Sequence, residues 1–171
     1  LEVLSRSDPS ILDQQAQRLM SGISLGVDLA TAPFIAAALQ VYFTRSAASL
    51  VAADVSRCDV ATICPVCAMR PVASVVRIGG AQANLRYLVC SLCQAEWNMV
   101  RVKCSSCETD KGVHYLGIEQ SGARPTDAAA KAEACDECRT YLKIFSQDKD
   151  PFADPCADDL ATLALDVLVD E

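Results

Sequence analysis

Eight cysteines stand in four Cys-x-x-Cys pairs: Cys64 and Cys67, Cys90 and Cys93, Cys104 and Cys107, Cys135 and Cys138. A turn of this kind aims two thiolates at one point while nearby backbone N–H groups face the sulfurs. Two such turns complete a tetrahedral four-sulfur shell, which suits zinc, or iron as in rubredoxin. Such a shell leaves no open coordination position, so it points to a structural or electron-transfer role and away from metal catalysis. A disulfide scaffold would be shorter and less evenly spaced than ten cysteines in 171 residues. Reduced thiolates predict a cytoplasmic protein.

The remaining reactive side chains are few. Cys58 and Cys156 lie outside the pairs and are expected as buried small hydrophobes. Cys156 follows Asp154-Pro155, a helix-start signal, and the alternative for it is a reactive thiol lowered by a helix terminus. His114 is the single histidine and is expected as a satisfied or half-exposed strand residue. With no second histidine, no hydrolase triad or catalytic zinc set can be built, and no enzyme active site is legible.

The pairs must be matched into sites. "PVASVVRI", then Gly79-Gly80, then "NLRYLV" read as a strand, a turn and a strand, with "EWNMVRV" as a third strand. The two-residue period puts Val72, Val76 and Ile78 on one face, and Leu85, Tyr87 and Val89 on another. "CAMRPVASVVRIGG" and "CETDKGVHYLGIEQ" place Ile78 and Ile118 at the same offset from Cys67 and Cys107. After the next pair, Trp97 and Tyr141 fall in similar places. The chain therefore repeats knuckle, strand, turn, strand, knuckle, strand. The repeat predicts two sites, Cys64, Cys67, Cys90 and Cys93, and Cys104, Cys107, Cys135 and Cys138. The intervals between pairs are 22 and 27 residues. The alternative joins Cys90 and Cys93 with Cys104 and Cys107 across ten residues. A module of about 40 residues buries too little surface to fold alone. A structural metal supplies on the order of 10–16 kcal/mol. One feature departs from an ideal knuckle: glycine often follows the second cysteine, but here the followers are Ala68, Gln94, Glu108 and Arg139.

Helices must frame these modules. "SDPSILDQQAQRLMSG" has Asp8 as N-cap, Pro9 in the first turn and Gly22 as a stop, with Ile11, Leu12, Gln15, Leu19 and Met20 on one face. "TAPFIAAALQVYFTRSAASLVAADV" predicts a second helix, apolar nearly all round and so requiring partners on several sides. Its apolar run is interrupted by Gln40 and too short to span a bilayer, so no membrane insertion is expected. "ADDLATLALDVLVD" predicts a C-terminal amphipathic helix whose stripe, Leu160, Leu163, Ala164, Val167 and Leu168, docks on the rest of the chain. The net charge of −7 is uneven. Residues 58–146 carry ten basic and nine acidic groups, and residues 147–171 carry one and eight. The cysteine-rich part is thus near neutral, without the basic patch that would meet phosphates, and no nucleic-acid partner is expected. The acidic side of the last helix reads as a solvated face, or one that meets a basic partner.

The run "LRYLVCSLCQAEWNMVRVKCSSC", followed by "EACDECRTYLKIF" and "DDLATLALDVLVDE", resembles the formate dehydrogenase accessory protein family. Arg86, Tyr87, Glu96, Trp97 and Arg101 match positions of its signature; Tyr87 and Trp97 are expected in module cores, and Arg101 beside Glu96 or an acidic tail residue. The resemblance implies a larger helical domain upstream, consistent with a chain that opens at Leu1. It implies the eight paired cysteines as ligands of two metal ions per chain, iron by preference and zinc otherwise. It also implies a non-enzymatic, cytoplasmic maturation factor that binds the catalytic subunit of respiratory formate dehydrogenase before twin-arginine export. A zinc-ribbon adaptor for nucleic acid or transcription machinery and a rubredoxin-type electron carrier are the alternatives. The expected fold is α+β: a helical region at 1–57, two tandem rubredoxin-like or zinc-ribbon β modules at 58–102 and 103–146, and an acidic tail with a helix at 147–171.

Overall fold

The strands alternate with the cysteine turns. In the computed structural model, which describes residues 2–55, 58–118 and 127–170, β1 (Pro71–Val76) and β2 (Arg86–Cys90) pair antiparallel, and β3 (Glu96–Asn98) adds to β2. The pattern returns as β4 (Val113–Leu116), β5 (Ala130–Cys135) and β6 (Thr140–Ser146). The predicted repeat is therefore present, although the turn between β4 and β5 lies largely outside the described residues. The first turn is longer than a two-residue hairpin. Gly79 and Gly80 take φ of +85° and +55°, which side chains resist, and Arg77 and Leu85 close the loop through a 3.0 Å backbone hydrogen bond.

The two units share one sheet. β1 and β6 run parallel, in register from Ala73 opposite Lys143 to Val76 opposite Ser146, giving the order β3-β2-β1-β6-β5-β4. The union changes the burial pattern. Ala73, Ser74, Val75 and Val76 are all buried, as are Leu142, Lys143, Ile144 and Phe145. Central strands covered on both faces show a continuous buried run rather than alternation. One face holds Ala73 and Phe145 against Ala153; the other holds Leu88 and Leu142 against Met99. The expected one-sided faces fail for this reason, and Ile78 and Leu85, beyond the strand ends, are exposed.

The N-terminal helices cover one end. α1 (Glu2–Arg6) is followed by α2 (Pro9–Met20), capped by Asp8, whose side chain accepts from the Ser10 N–H. Its end is a Schellman turn: Gly22 sits at φ +67°, and the Gly22 and Ile23 N–H groups return to the Leu19 and Arg18 carbonyls. α3 (Ala32–Ala48) stops seven residues short of the expected span, and a 3-10 turn (Ala52–Asp54) follows. It is also not buried all round. Ile35 is buried, Leu39, Phe43 and Ala47 pack inward, and Val41 and Tyr42 are more than 60% exposed. Gln40, the interruption of the apolar run, donates to the Ser91 carbonyl at 2.9 Å and so fastens α3 to a cysteine turn.

The C-terminal segment reverses the expected polarity. It forms two helices, α4 (Pro155–Ala161) and α5 (Leu163–Asp170), broken at Thr162. Leu160, Leu163 and Val167 of the predicted docking stripe are 69%, 59% and 64% exposed, while Leu165 is 1% exposed. The acids face inward instead. Lys143, buried in β6, places its ammonium 3.1 Å from Asp159 and 2.9 Å from Asp166, and Tyr141 donates to Asp166 at 2.8 Å. Asp158 accepts from the Asp154 N–H across the start of α4. All three carboxylates thus have internal partners and do not form a purely solvated acidic face.

A second buried charge pair bridges the two units. Arg86 on β2 meets Glu133 on β5 at 2.7 Å, with both side chains at most 2% exposed. Arg86 also donates to the Lys103 carbonyl, and the Tyr115 hydroxyl donates to Glu133. Burial, followed by the negative charge and hydrogen bond of Glu133, pushes the Tyr115 hydroxyl up to about 12. Removing one member of such a pair strands a buried charge. Glu133→Ala should therefore lower unfolding stability by about 3–5 kcal/mol in urea titrations, and Arg86→Met with Glu133→Leu should lose less than either single change. A single-variant loss under about 1 kcal/mol would show that water compensates the stranded charge.

Candidate metal centres

The first three cysteine turns are built in the same way. The Cys64, Cys90 and Cys104 N–H groups donate to the Met69, Ala95 and Thr109 carbonyls, at 2.8, 3.0 and 2.8 Å. N–H groups then close on sulfur: Val66 onto Cys64, Leu92 and Cys93 onto Cys90, and Ser106 and Cys107 onto Cys104, all at 3.3–3.5 Å. Reversing the chain in so few residues forces the next residue into the left-handed region. Ala68, Gln94, Glu108 and Arg139 stand at φ of 61°, 57°, 62° and 53°. The missing glycines noted in the sequence thus mark positions where the glycine conformation is adopted without glycine.

The turns meet in the pairs that the repeat predicts. Cys64, Cys67, Cys90 and Cys93 form one cluster and Cys104, Cys107, Cys135 and Cys138 the other, with all sulfurs in each within 4.8 Å of one another. Contacts are 3.5 Å for Cys64 with Cys93, 3.3 Å for Cys67 with Cys90, 3.6 Å for Cys104 with Cys138 and 3.8 Å for Cys107 with Cys135. These exceed a disulfide bond of about 2.05 Å. They approach the edge of about 3.8 Å of a tetrahedron with metal–sulfur bonds near 2.3 Å. Each cluster can therefore hold one metal ion, and neither geometry nor ligand type distinguishes zinc from iron.

The clusters differ in surroundings. Around the first, Leu39, Phe43 and Ala47 of α3 pack with Val66, Met69 and Leu92. Trp97 joins them and donates its indole N–H to the Ala61 carbonyl at 2.8 Å. Burial drives the Cys93 thiol strongly upward. In the second cluster the Thr109 N–H lowers Cys107, but desolvation and the neighbouring thiols push it up to about 12. Cys138 goes the other way: burial opposes ionisation, but Thr140 and the three other thiols hold it down to about 6.

The other singled-out residues lie apart from the sulfurs or beside them. Cys58 is exposed, contrary to expectation, because it lies in the loop before the first turn. Cys156 is half-buried at the start of α4, with the Gln94 amide 3.9 Å away. Burial and the charges of Asp154 and Asp159 raise its thiol, so the helix start does not activate it. His114 is about half exposed and lies 3.5 Å from Asp136. Glu96 pairs with Arg77 rather than Arg101, which is exposed. Arg86, Gln40 and Thr140 were not assigned these tasks from sequence. A lone charge in "NLRYLV" opposite another in "AKAEAC" was the available signal for the Arg86–Glu133 pair.

Family descriptions match nearly the whole chain. The N-terminal FdhE model matches residues 1–59, the FdhE central domain 63–101 and the FdhE C-terminal domain 102–171. The FdhE homolog of Cronobacter sakazakii and the FdhE of Salmonella paratyphi B are each 42% identical over 172 residues, covering all of this chain and 54% of theirs. The chain thus spans about half the length of these relatives. The crystal structure of the FdhE protein from Pseudomonas aeruginosa superposes with a TM-score of 0.88 at 39% identity, over 99% of this chain and 57% of that one.

The turn geometry carries a stability prediction. Left-handed φ costs a side chain about 1 kcal/mol relative to glycine. Ala68→Gly and Arg139→Gly should each raise the urea midpoint, by about 0.5–1 kcal/mol in stability, with the metal content unchanged. Destabilisation by both would show that these turns carry no backbone strain. The thiol shifts give a second expectation. Thiols raised above neutral pH are protonated in the metal-free chain, so zinc must displace protons. Apparent zinc affinity, read by chelator competition, should rise from pH 6 to pH 8. A flat profile would mean that the sulfurs are already ionised.

Proposed function

The chain belongs to the FdhE family, and from that premise we propose that it is a non-enzymatic maturation factor for respiratory formate dehydrogenase. In this reading it acts in the cytoplasm and engages the catalytic subunit before twin-arginine export. Each cluster holds one ion through Cys64, Cys67, Cys90 and Cys93, or through Cys104, Cys107, Cys135 and Cys138. Rubredoxin-type iron is the preferred occupant and zinc the substitute. The observation that carries the reading is the pair of closed four-sulfur clusters set into one sheet. Closed shells offer no position for substrate, so they favour a rigid binding scaffold over catalysis. The charge distribution supports a protein partner, because the cysteine-rich part is near neutral rather than strongly basic.

We extend the reading to organisation. Residues 58–102 and 103–146 act as two metal-stapled modules, preceded by a helical region at 1–57 and followed by the acidic segment at 147–171. Protein from anaerobically grown, iron-replete cells should contain two ions per chain, with iron that colours on oxidation. Cys90→Ser should leave one ion, and Cys58→Ser or Cys156→Ser should leave two. A single ion in the intact protein refutes the two-centre reading, and zinc alone refutes the preference for iron. Tagged protein from cells making a respiratory formate dehydrogenase should bring down its catalytic subunit. Combining Cys90→Ser with Cys135→Ser should abolish capture, since each module needs its metal to fold. Empty capture by the intact protein removes the partner.

A further inference from the structure

The two clusters have the same ligands in unequal settings. In the first, Cys64, Cys90 and Cys93 are buried and Cys67 is half-buried. α3 lies over it through Leu39, Phe43 and Ala47, and Gln40 ties that helix to the turn between Cys90 and Cys93. In the second, Cys107 is exposed and Cys138 half-buried, and among the described residues no apolar cluster surrounds the sulfurs. Open cavities reach both clusters, about 540 Å³ at Cys93 beside α3 and about 310 Å³ at Cys135 beside His114 and Leu116, so the difference lies in the exposure of the sulfurs themselves. The Thr140 hydroxyl lies 3.0 Å from the Cys138 sulfur.

Access decides how a thiolate shell parts with its ion. The incoming ligand must reach the metal, or a proton or electrophile must reach a sulfur, and an apolar shell blocks both. We propose that the second centre is the exchange site of the chain, giving up and taking up its ion with external thiol or chelating ligands, while the first is a fixed staple. No electron moves in this step. The ion passes as a divalent cation to the incoming donor atoms, and protons from water restore the vacated thiols. Cys107 is the entry point because it is the one exposed member of either shell. The inference rests on the metal reading of both clusters.

The test uses the 171-residue chain loaded with zinc and challenged with excess EDTA, with ions per chain followed by native mass spectrometry. One ion should leave at least tenfold faster than the other. Cys107→Ser should remove the fast phase and keep one slow ion, and Cys67→Ser should keep one fast ion. Release of both ions at one rate, or a fast phase that survives in Cys107→Ser, overturns the proposal. Iodoacetamide labelling of the unaltered loaded chain gives a readout independent of variant folding. Cys107 and Cys138 should be alkylated in step with loss of the fast ion, and earlier alkylation of Cys64 or Cys67 overturns the assignment. Failure of the intact chain to hold two ions removes the metal reading itself, an outcome separate from equal release rates.

Discussion

Closure of four sulfurs around one point is the constraint on which the rest of the molecule depends. The strands are only three to seven residues long, and isolated hairpins of that size are marginal in water. The cysteine turns hold the ends of these strands in place. They do so against local preference, since Ala68, Gln94, Glu108 and Arg139 are all held in the left-handed region. Two such residues in each module, at about 1–2 kcal/mol each, add to a conformational cost that a 40-residue module cannot readily offset by burial. A bound structural metal, at on the order of 10–16 kcal/mol per site, exceeds it. On this balance the backbone conformation of the turns is itself an argument that the clusters are occupied when the chain folds.

Closure alone makes two modules; the polar seam makes one sheet. β1 and β6 join in parallel, a pairing that no short turn can enforce. Two buried charge sets specify it. Arg86 and Glu133 reach across from β2 to β5 on one face, and Lys143 draws Asp159 and Asp166 onto the other. Buried ion pairs are poor sources of net stability because desolvation consumes most of the attraction. Their effect here is exclusion: a shift in register, or a C-terminal helix turned to bury its leucines, leaves a charge unpaired in the core.

These features explain what was legible in the sequence and what was not. The spacing of eight cysteines and the matching offsets of Ile78 and Ile118 suffice for the pairing of the sulfurs, because a turn and a strand are local. The Asp8 cap and the Gly22 stop are legible for the same reason. The failures are non-local. Alternation in "PVASVV" disappears because pairing with β6, seventy residues away, makes β1 a central strand covered on both faces. The leucine stripe of the last segment has helical spacing, but a break at Thr162 changes its phase and Lys143 attracts the acids. A lysine inside "YLKIF", with eight acids in the following segment, was a readable hint of that reversal. Pattern analysis ranks apolar faces and does not by itself find the buried charge that outranks them.

The head-to-tail arrangement also turns a repeat into an asymmetry. By order in the repeat, β1 corresponds to β4 and β3 to β6, so each unit presents different edges to its surroundings. The first unit spends its β1 edge on β6 and receives α3 over its sulfurs. The second receives α5 beside β4 and β5, where Val169 borders an open cavity at Cys135, and its Cys107 is exposed. Ligand type is the same in both clusters, so differences in metal lability or redox behaviour must come from the outer surroundings of the sulfurs. Hydrophobic cover and the number of hydrogen bonds to sulfur are the two quantities that vary. Cover distinguishes the pair most clearly, because the N–H contacts of the cysteine turns recur in both while the α3 roof occurs once.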